Sequence, residues 1–170
     1  VGTSTVAAAI ALIAAESAGV CLVDRGGGDI APILGMSIAP GGEATAGRLV
    51  VLDRQPGEPC SPTTPTRTFD VVVVDNGTRP PADTNSFSVC VLRADYLALR
   101  RLVTSGGRVD RLVLVLEEGR ALQPRDVAAC LGHEPIVIPY DVAVARSVDA
   151  GLFATRLPDA VRRSLRKVTT

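Results

Sequence analysis

Val1-Gly2-Thr3-Ser4-Thr5 runs directly into Val6-Ala7-Ala8-Ala9-Ile10-Ala11-Leu12-Ile13-Ala14-Ala15, and this junction decides how the chain is read. A glycine, a basic residue, two hydroxyl residues and a helix of small residues make up the end of a phosphate-binding loop. Here Thr3 occupies the position of the basic residue. Backbone N–H groups at a helix N-terminus attract phosphate whatever the side chains. Ser4 offers a hydroxyl of the kind that ligates magnesium. Thr3 brings no positive charge to the outer phosphates. The same Thr3-Ser4-Thr5 also reads as an ordinary helix cap.

Working outward, residues 3–18 read as one helix, apolar nearly all round and therefore buried, with Gly19 ending it. Val20-Cys21-Leu22-Val23 reads as a short buried strand ending at Asp24. The turn Arg25-Gly26-Gly27-Gly28-Asp29 follows, then a short helix through Leu34. Further apolar runs at 49–52, 71–74, 87–92, 112–116 and 136–138 read as strands; the second ends at Asp75 and the last is stopped by Pro139. Helices are expected over 95–103, 124–131 (with proline in the first turn), 142–150 and 158–167. Residues 54–68 carry Pro56, Pro59, Pro62 and Pro65 and read as a loop. Continuous apolar strands separated by helices imply an α/β fold: a mostly parallel central sheet with helices on both faces, in one domain spanning residues 1–170. A phosphate loop is fed by a strand. The first strand is therefore expected ahead of residue 1, because a hole in a parallel sheet leaves its neighbours' backbone groups unpaired.

The bulk properties agree. The 170 residues suit a single domain with a sizeable core, and 46% hydrophobic residues exclude a disordered chain. With 3% aromatic residues and no Trp, that core is built from Val, Leu, Ile and Ala. Eighteen basic residues balance 18 acidic ones, which argues against a strongly charged nucleic-acid domain. The cysteines, Cys21, Cys60, Cys90 and Cys130, form no CxxC pair and read as buried free thiols of a reducing cytoplasm. His133 is the sole histidine, so no metal cluster can be assembled around it. The 6–15 run is about half of the roughly 20 residues a membrane span needs.

Two carboxylates stand out as metal candidates. Asp75 lies at the carboxyl end of the strongest strand, where a magnesium-shell carboxylate sits in α/β phosphate-binding folds. It also starts the turn Asn76-Gly77-Thr78. Asp24 ends the strand at 20–23 and can hold the metal shell, orient water, or serve a turn. The C-terminal helix places Leu157, Val161, Leu165 and Val168 on one side and Arg162, Arg163, Arg166 and Lys167 on the other. Such a helix can meet anionic membrane or nucleic-acid phosphate. It can equally pack on its own domain with a solvated basic face, which four charges favour.

Taken together, these segments resemble the deviant-P-loop ATPases of the MinD and ParA superfamily over nearly the whole chain. Gly2-Thr3-Ser4-Thr5 and its Ala-rich helix resemble the end of the family's Lys-Gly-Gly-x-Gly-Lys-Thr-Thr loop. The strand ending at Asp24 resembles the one before its Asp-x-Asp element. Phe69-Asp70-Val71-Val72-Val73-Val74-Asp75 resembles its Walker B strand. Ile138-Pro139-Tyr140-Asp141 and the helix after it resemble the segment near the adenine, and with Leu92-Arg93-Ala94-Asp95 look most similar to actinobacterial septum-site and pilus-assembly (CpaE or TadZ) proteins.

The resemblance implies a nucleotide site at Gly2, Thr3, Ser4, Thr5, Pro139 and Asp141, with magnesium held by Ser4, Asp24 and Asp75. The departures from the family matter as much. Its loop lysine is Thr3, its second acidic residue after the strand is Gly26, and its adenine-reading Asn is replaced by Glu117-Glu118. Losing one fixed cation costs several kcal/mol of transition-state stabilisation. The implied function is a degenerate ATPase serving as a positioning, scaffold or regulatory protein in cell division, pilus assembly or DNA segregation. ATP and magnesium would be weakly held or lost, and protein partners or a homodimer are implied. The alternatives are an active ATP-driven dimerisation switch with a lysine upstream of residue 1, and a small-molecule ATP-dependent synthetase on the same fold.

Overall fold

The computed structural model describes residues 2–54, 63–64, 67–79 and 86–169. In chain order its elements are α1 (Thr3–Ala14), β1 (Val20–Asp24), α2 (Ile30–Leu34), β2 (Glu43–Ala46), β3 (Leu49–Asp53), β4 (Thr63–Thr64), β5 (Arg67–Thr68), β6 (Val71–Asp75), β7 (Val89–Arg93), α3 (Tyr96–Ser105), β8 (Arg111–Leu116), α4 (Pro124–Leu131), β9 (Ile136–Pro139), α5 (Val142–Asp149) and α6 (Asp159–Thr169). The α/β class and the parallel strands are as the apolar runs imply. β1 pairs in parallel with β3 on one side and β6 on the other, and β8 pairs in parallel with β7 and β9.

The strands form two main sheets, ordered β2-β3-β1-β6 and β7-β8-β9. Alternation along β1 explains why its every residue is buried. Val20 and Leu22 join the core under α1, while Cys21 and Val23 pack with Val50, Leu52 and Phe69 on the opposite face. The α1 side is one continuous core. Val6, Ala8, Ala11 and Ile13 of α1 meet Val113 of β8, Ile138 of β9, Phe153, and Val161 and Leu165 of α6. A separate cluster of Leu92, Leu99, Leu112, Leu114 and Val127 packs the other face of β7-β8-β9 under α3 and α4. Full burial of each such Val, Leu or Phe is worth about 1.5–3 kcal/mol, so the dense Val and Leu content holds the layers together without Trp.

Several boundaries differ from the sequence reading. α1 ends at Ala14, not at residue 18, because the Glu16 and Ser17 N–H groups donate to the Ile13 and Ala14 carbonyls and tighten the chain into turns. Gly19 therefore ends no helix. Its N–H donates to the Asp70 carboxylate (2.7 Å), and its carbonyl accepts the N–H groups of Asp70 and Val71, which sets β6 against β1. β7 begins at Val89 rather than residue 87, and Phe87 is exposed, stacked under the Arg111 guanidinium. β2 was not expected. It is an antiparallel edge strand returning to β3 through Gly47, whose positive φ of 59° admits the tight turn.

In the 54–68 loop, β4 and β5 pair antiparallel, so the segment is not loop throughout; Pro56, Pro59, Pro62 and Pro65 lie outside the described residues. Cys60 does too. Of the other cysteines only Cys21 is fully buried. Cys130 is exposed, and Cys90 is half-buried, with burial pushing its thiol pKa up. Among the described residues no helix is long and apolar enough to cross a membrane.

Candidate functional site

The parallel strands bring three carboxylates to one end of the sheet. Asp24 is in register with Asp53 on one neighbour and with Asp75 on the other. The carboxyl ends of parallel strands are where α/β folds bind ligands. Asp24 and Asp75 are both almost fully buried, at 2% and 1% exposure, whereas Asp53 faces solvent.

The two buried carboxylates are not equivalent. Asp24 accepts the Gly26 N–H on Oδ1 (2.8 Å) and the Ile30 N–H on Oδ2 (2.9 Å), so it folds the glycine turn and anchors the start of α2. Asp75 accepts the Gly77 N–H on Oδ1 (2.8 Å), but its Oδ2 is buried without a protein partner. An unpaired buried carboxylate oxygen costs free energy and points to a missing counter-group. The absence of a side chain at Gly26 keeps that oxygen uncrowded. A Cβ at Gly26 would stand 3.1 Å from that Oδ2 and 3.5 Å from Asp24 Oδ1. Carboxylate oxygens are the hard ligands that magnesium prefers, but among the described residues no group of three or more His, Cys, Asp or Glu side chains comes together to hold a metal ion.

The α1 N-terminus lies at this same end. The helix is 12 residues long, about 18 Å at 1.5 Å per residue. A short connection joins its C-terminus to the start of β1, and α1 packs along β1 and β6. Its first turn therefore overlies the strand ends that carry Asp24 and Asp75. Gly2 holds the N-cap position in extended conformation (φ −119°, ψ −174°), with no side-chain cap and no acidic residue in the first turn. The cap expected from Thr3-Ser4-Thr5 is thus not made. The first N–H groups keep their donors, and the helix dipole stays uncompensated. Thr3 and Ser4 are half-buried and Thr5 is buried.

Pro139 ends a strand of the other sheet, and Asp141 follows it at the start of α5. Pro139 pairs with Leu116 at the carboxyl ends of β9 and β8, and the Tyr140 N–H donates to the Leu116 carbonyl (2.8 Å). The Asp141 carboxylate accepts the Ala143 N–H (2.7 Å) and caps α5. Next to this pair, Glu117 accepts hydrogen bonds from Arg120 and Arg93. The Arg120 guanidinium first, and Arg93 with it, hold the Glu117 carboxyl below the usual carboxylate range despite some opposing desolvation.

The sequence reading placed Glu117 here but not its clamp. Arg93 at the end of one strand and Arg120 three residues past Glu117 were the available signal. Asp53 was also missed, because it follows its apolar run as any loop residue would. Another omission is Arg25, which packs beside Asp75. Its N–H donates to the Asp75 carbonyl (3.0 Å), and its side-chain Nε is buried without a partner.

The remaining candidate, the basic face of α6, is partly used internally. Glu16, just past α1, pairs with Arg162 and with Arg166 (3.0 Å). Val161 and Leu165 are buried against the core.

Neither a family model nor a curated protein matches this sequence. Solved structures do match. A ParA family ATPase from Chlorobium tepidum superposes with a TM-score of 0.68 at 15% identity, covering 96% of this chain and 90% of that one. The fold is that of MinD and the ParA-family ATPases. MinD of Aquifex aeolicus, a cell division protein, gives a TM-score of 0.65 at 15% identity over 99% of this chain and 92% of its own. The apo McdA of Cyanthece gives 0.65 at 11% identity, covering 99% and 94%.

Proposed function

We propose that this chain is a degenerate ATPase of the MinD/ParA type, acting as a positioning, scaffold or regulatory protein through contacts with other proteins, in cell division, pilus assembly or DNA segregation. One observation carries the reading. The phosphate end of the fold keeps its shape, an uncapped helix N-terminus beside the buried Asp75, while Thr3 supplies no cation there. Ser4 and Asp75 are the residues to hold magnesium, with Asp24 shaping the turn beside them and retaining a lone pair on each oxygen. Gly2, Thr3, Ser4 and Thr5 would face the phosphates.

The base end supports the same conclusion. The edge of adenine carries both a donor and an acceptor, which an Asn amide matches. A carboxylate only accepts, and Glu117 is already engaged by two arginines. Pro139 and Asp141 would border the base, with the Asp141 carboxylate spent on capping α5. Phosphoryl transfer depends on positioned charge. A site without the cation, and with a mismatched base pocket, binds nucleotide weakly and turns it over slowly or not at all.

Calorimetry with magnesium–ATP tests this, together with a turnover assay. Weak or absent binding and no turnover are expected. Thr3→Lys should tighten nucleotide binding by about tenfold or more, the scale of one charge-assisted contact to phosphate. Tight binding with steady turnover in the unmodified protein would instead establish the active ATP-driven switch.

A further inference from the structure

The starts of β8 and β9 meet the C-terminal ends of two helices. α3 follows β7 and returns the chain to the start of β8; α4 follows β8 and returns it to the start of β9. The three strands are parallel, and both helices cover the same face of their sheet through Leu99 and Val127. The two helix C-termini therefore lie together, at the opposite end of this sheet from Pro139. A cavity of about 370 Å³ opens there, lined by Leu102, Gly106 and Gly107 at the end of α3 and by Cys130, Leu131 and His133 at the end of α4. His133 is the sole histidine of the chain, and the fold sets it in one cavity with the free, exposed thiol of Cys130.

From this we infer that the cavity is a site for a divalent cation of the zinc class, with the Cys130 sulfur and the His133 Nε2 as its protein ligands. Three features converge on it. The donor set is the first: thiolate and imidazole select zinc and its transition-metal neighbours over magnesium. The second is the state of the imidazole. His133 Nδ1 lies 3.0 Å from the Leu131 carbonyl oxygen. A carbonyl only accepts, so Nδ1 carries the hydrogen and the neutral ring presents Nε2 as a bare lone pair. Metal-binding histidines are oriented in this way, by donating the other ring N–H to a carbonyl or carboxylate. The third is the local field. A helix C-terminus carries about half a negative charge, and neither α3 nor α4 has a basic residue in its last turn. Two uncompensated negative ends at one cavity favour a cation.

The pair is smaller than a closed metal cluster, since no three such side chains come together among the described residues. The ion therefore keeps open positions for water and for helix-end carbonyls, which have no partner within their own helix. Binding replaces the Cys130 S–H bond by a sulfur–metal bond, and the proton leaves to water. Cys130 and His133 take no part in the nucleotide end of the fold, so the inference holds whether or not nucleotide binds.

Cobalt(II) titration of the reduced protein in excess magnesium tests it, because a thiolate–cobalt bond has its own charge-transfer absorption. The unmodified chain should bind a single cobalt ion per chain with that band, and zinc should displace the cobalt. Cys130→Ser should abolish the band, while Cys60→Ser should leave it unchanged. His133→Gln should keep a weaker-binding thiolate site, with affinity lowered at least about tenfold, the low end of what even an outer contact to a metal ligand is worth. Cys130 and His133 are both exposed, so these variants should keep the fold, and unchanged circular dichroism checks that they do. Absence of the band in the unmodified chain overturns the inference. So does a band that survives Cys130→Ser, or equal affinity in His133→Gln. Displacement of the cobalt by magnesium also overturns it, since that would place the ion on carboxylates instead.

Discussion

At the scale of single residues, Asp75 and Gly35 show how differently a position can be constrained. Asp75 keeps one oxygen in a turn and leaves the other buried and unpaired, an arrangement that stability alone does not favour. Asp75→Asn keeps an acceptor for the Gly77 N–H and removes the uncompensated charge. Thermal denaturation without metal should show a midpoint unchanged or raised by a few degrees, as is common where a functional group is removed. Any stabilisation that magnesium–ADP gives the unmodified protein should vanish in the variant. A loss of more than about 2 kcal/mol without ligand would show that the carboxylate is held for structural reasons. Gly35 is constrained by space instead. It ends α2 at φ 70°, and a Cβ there would stand 2.1 Å from the Gly151 carbonyl oxygen. Gly106 ends α3 at φ 61° with nothing within 4 Å of its Cβ position. Gly106→Ala should therefore cost about 1 kcal/mol for its backbone alone, and Gly35→Ala at least about 2 kcal/mol more, because the backbone of α5's exit must shift. Urea denaturation of the pair measures the difference, and equal costs would refute the steric account.

At the scale of elements, α6 separates the contributions of charge and burial. Glu16 pairs with two of its arginines at the surface, while Leu165 is fully buried in the shared core. Glu16→Gln should cost less than about 1 kcal/mol, as exposed ion pairs do, and Leu165→Ala about 2–5 kcal/mol. The reverse order in chemical denaturation would mean that charge, not packing, docks the helix. The same contrast explains what was readable in advance. β1, β6 and β8 are apolar runs flanked by charge or turn residues, and α4 runs from Pro124 to a left-handed Gly132, so local chemistry states their limits. β2 is Glu-Ala-Thr-Ala with only Ala44 buried; an exposed edge paired on one side has no apolar run to announce it. The true end of α1 was hidden because Ala15-Glu16-Ser17-Ala18 is compatible with helix, and the chain leaves it only to bring Gly19 against Asp70. Asp24 and Asp75 were readable as strand ends. Their inequivalence was not, since it depends on which backbone N–H groups the glycine turn presents.

At the scale of the whole molecule, the division between the sheets has a mechanical consequence. Backbone pairing does not cross from β6 to β7 among the described residues, so the halves are coupled by side chains beneath α1 and α6. The β7-β8-β9 half also has its own apolar cluster under α3 and α4, including Leu112, Leu114 and Val127. A half with a private core and no continuous hydrogen-bonded link to its neighbour can open without dissolving it. In residues 1–170 the amides of 112–115 should therefore exchange through a sub-global opening, with a smaller free energy and weaker denaturant dependence than those of 20–23 and 50–52. The latter lie in the larger, four-stranded sheet, paired on both sides, and should exchange only on global unfolding. Native-state hydrogen exchange at increasing low urea distinguishes the cases. Two separate isotherms are expected, and a single shared one would mean that the α1 and α6 contacts alone make the molecule cooperative.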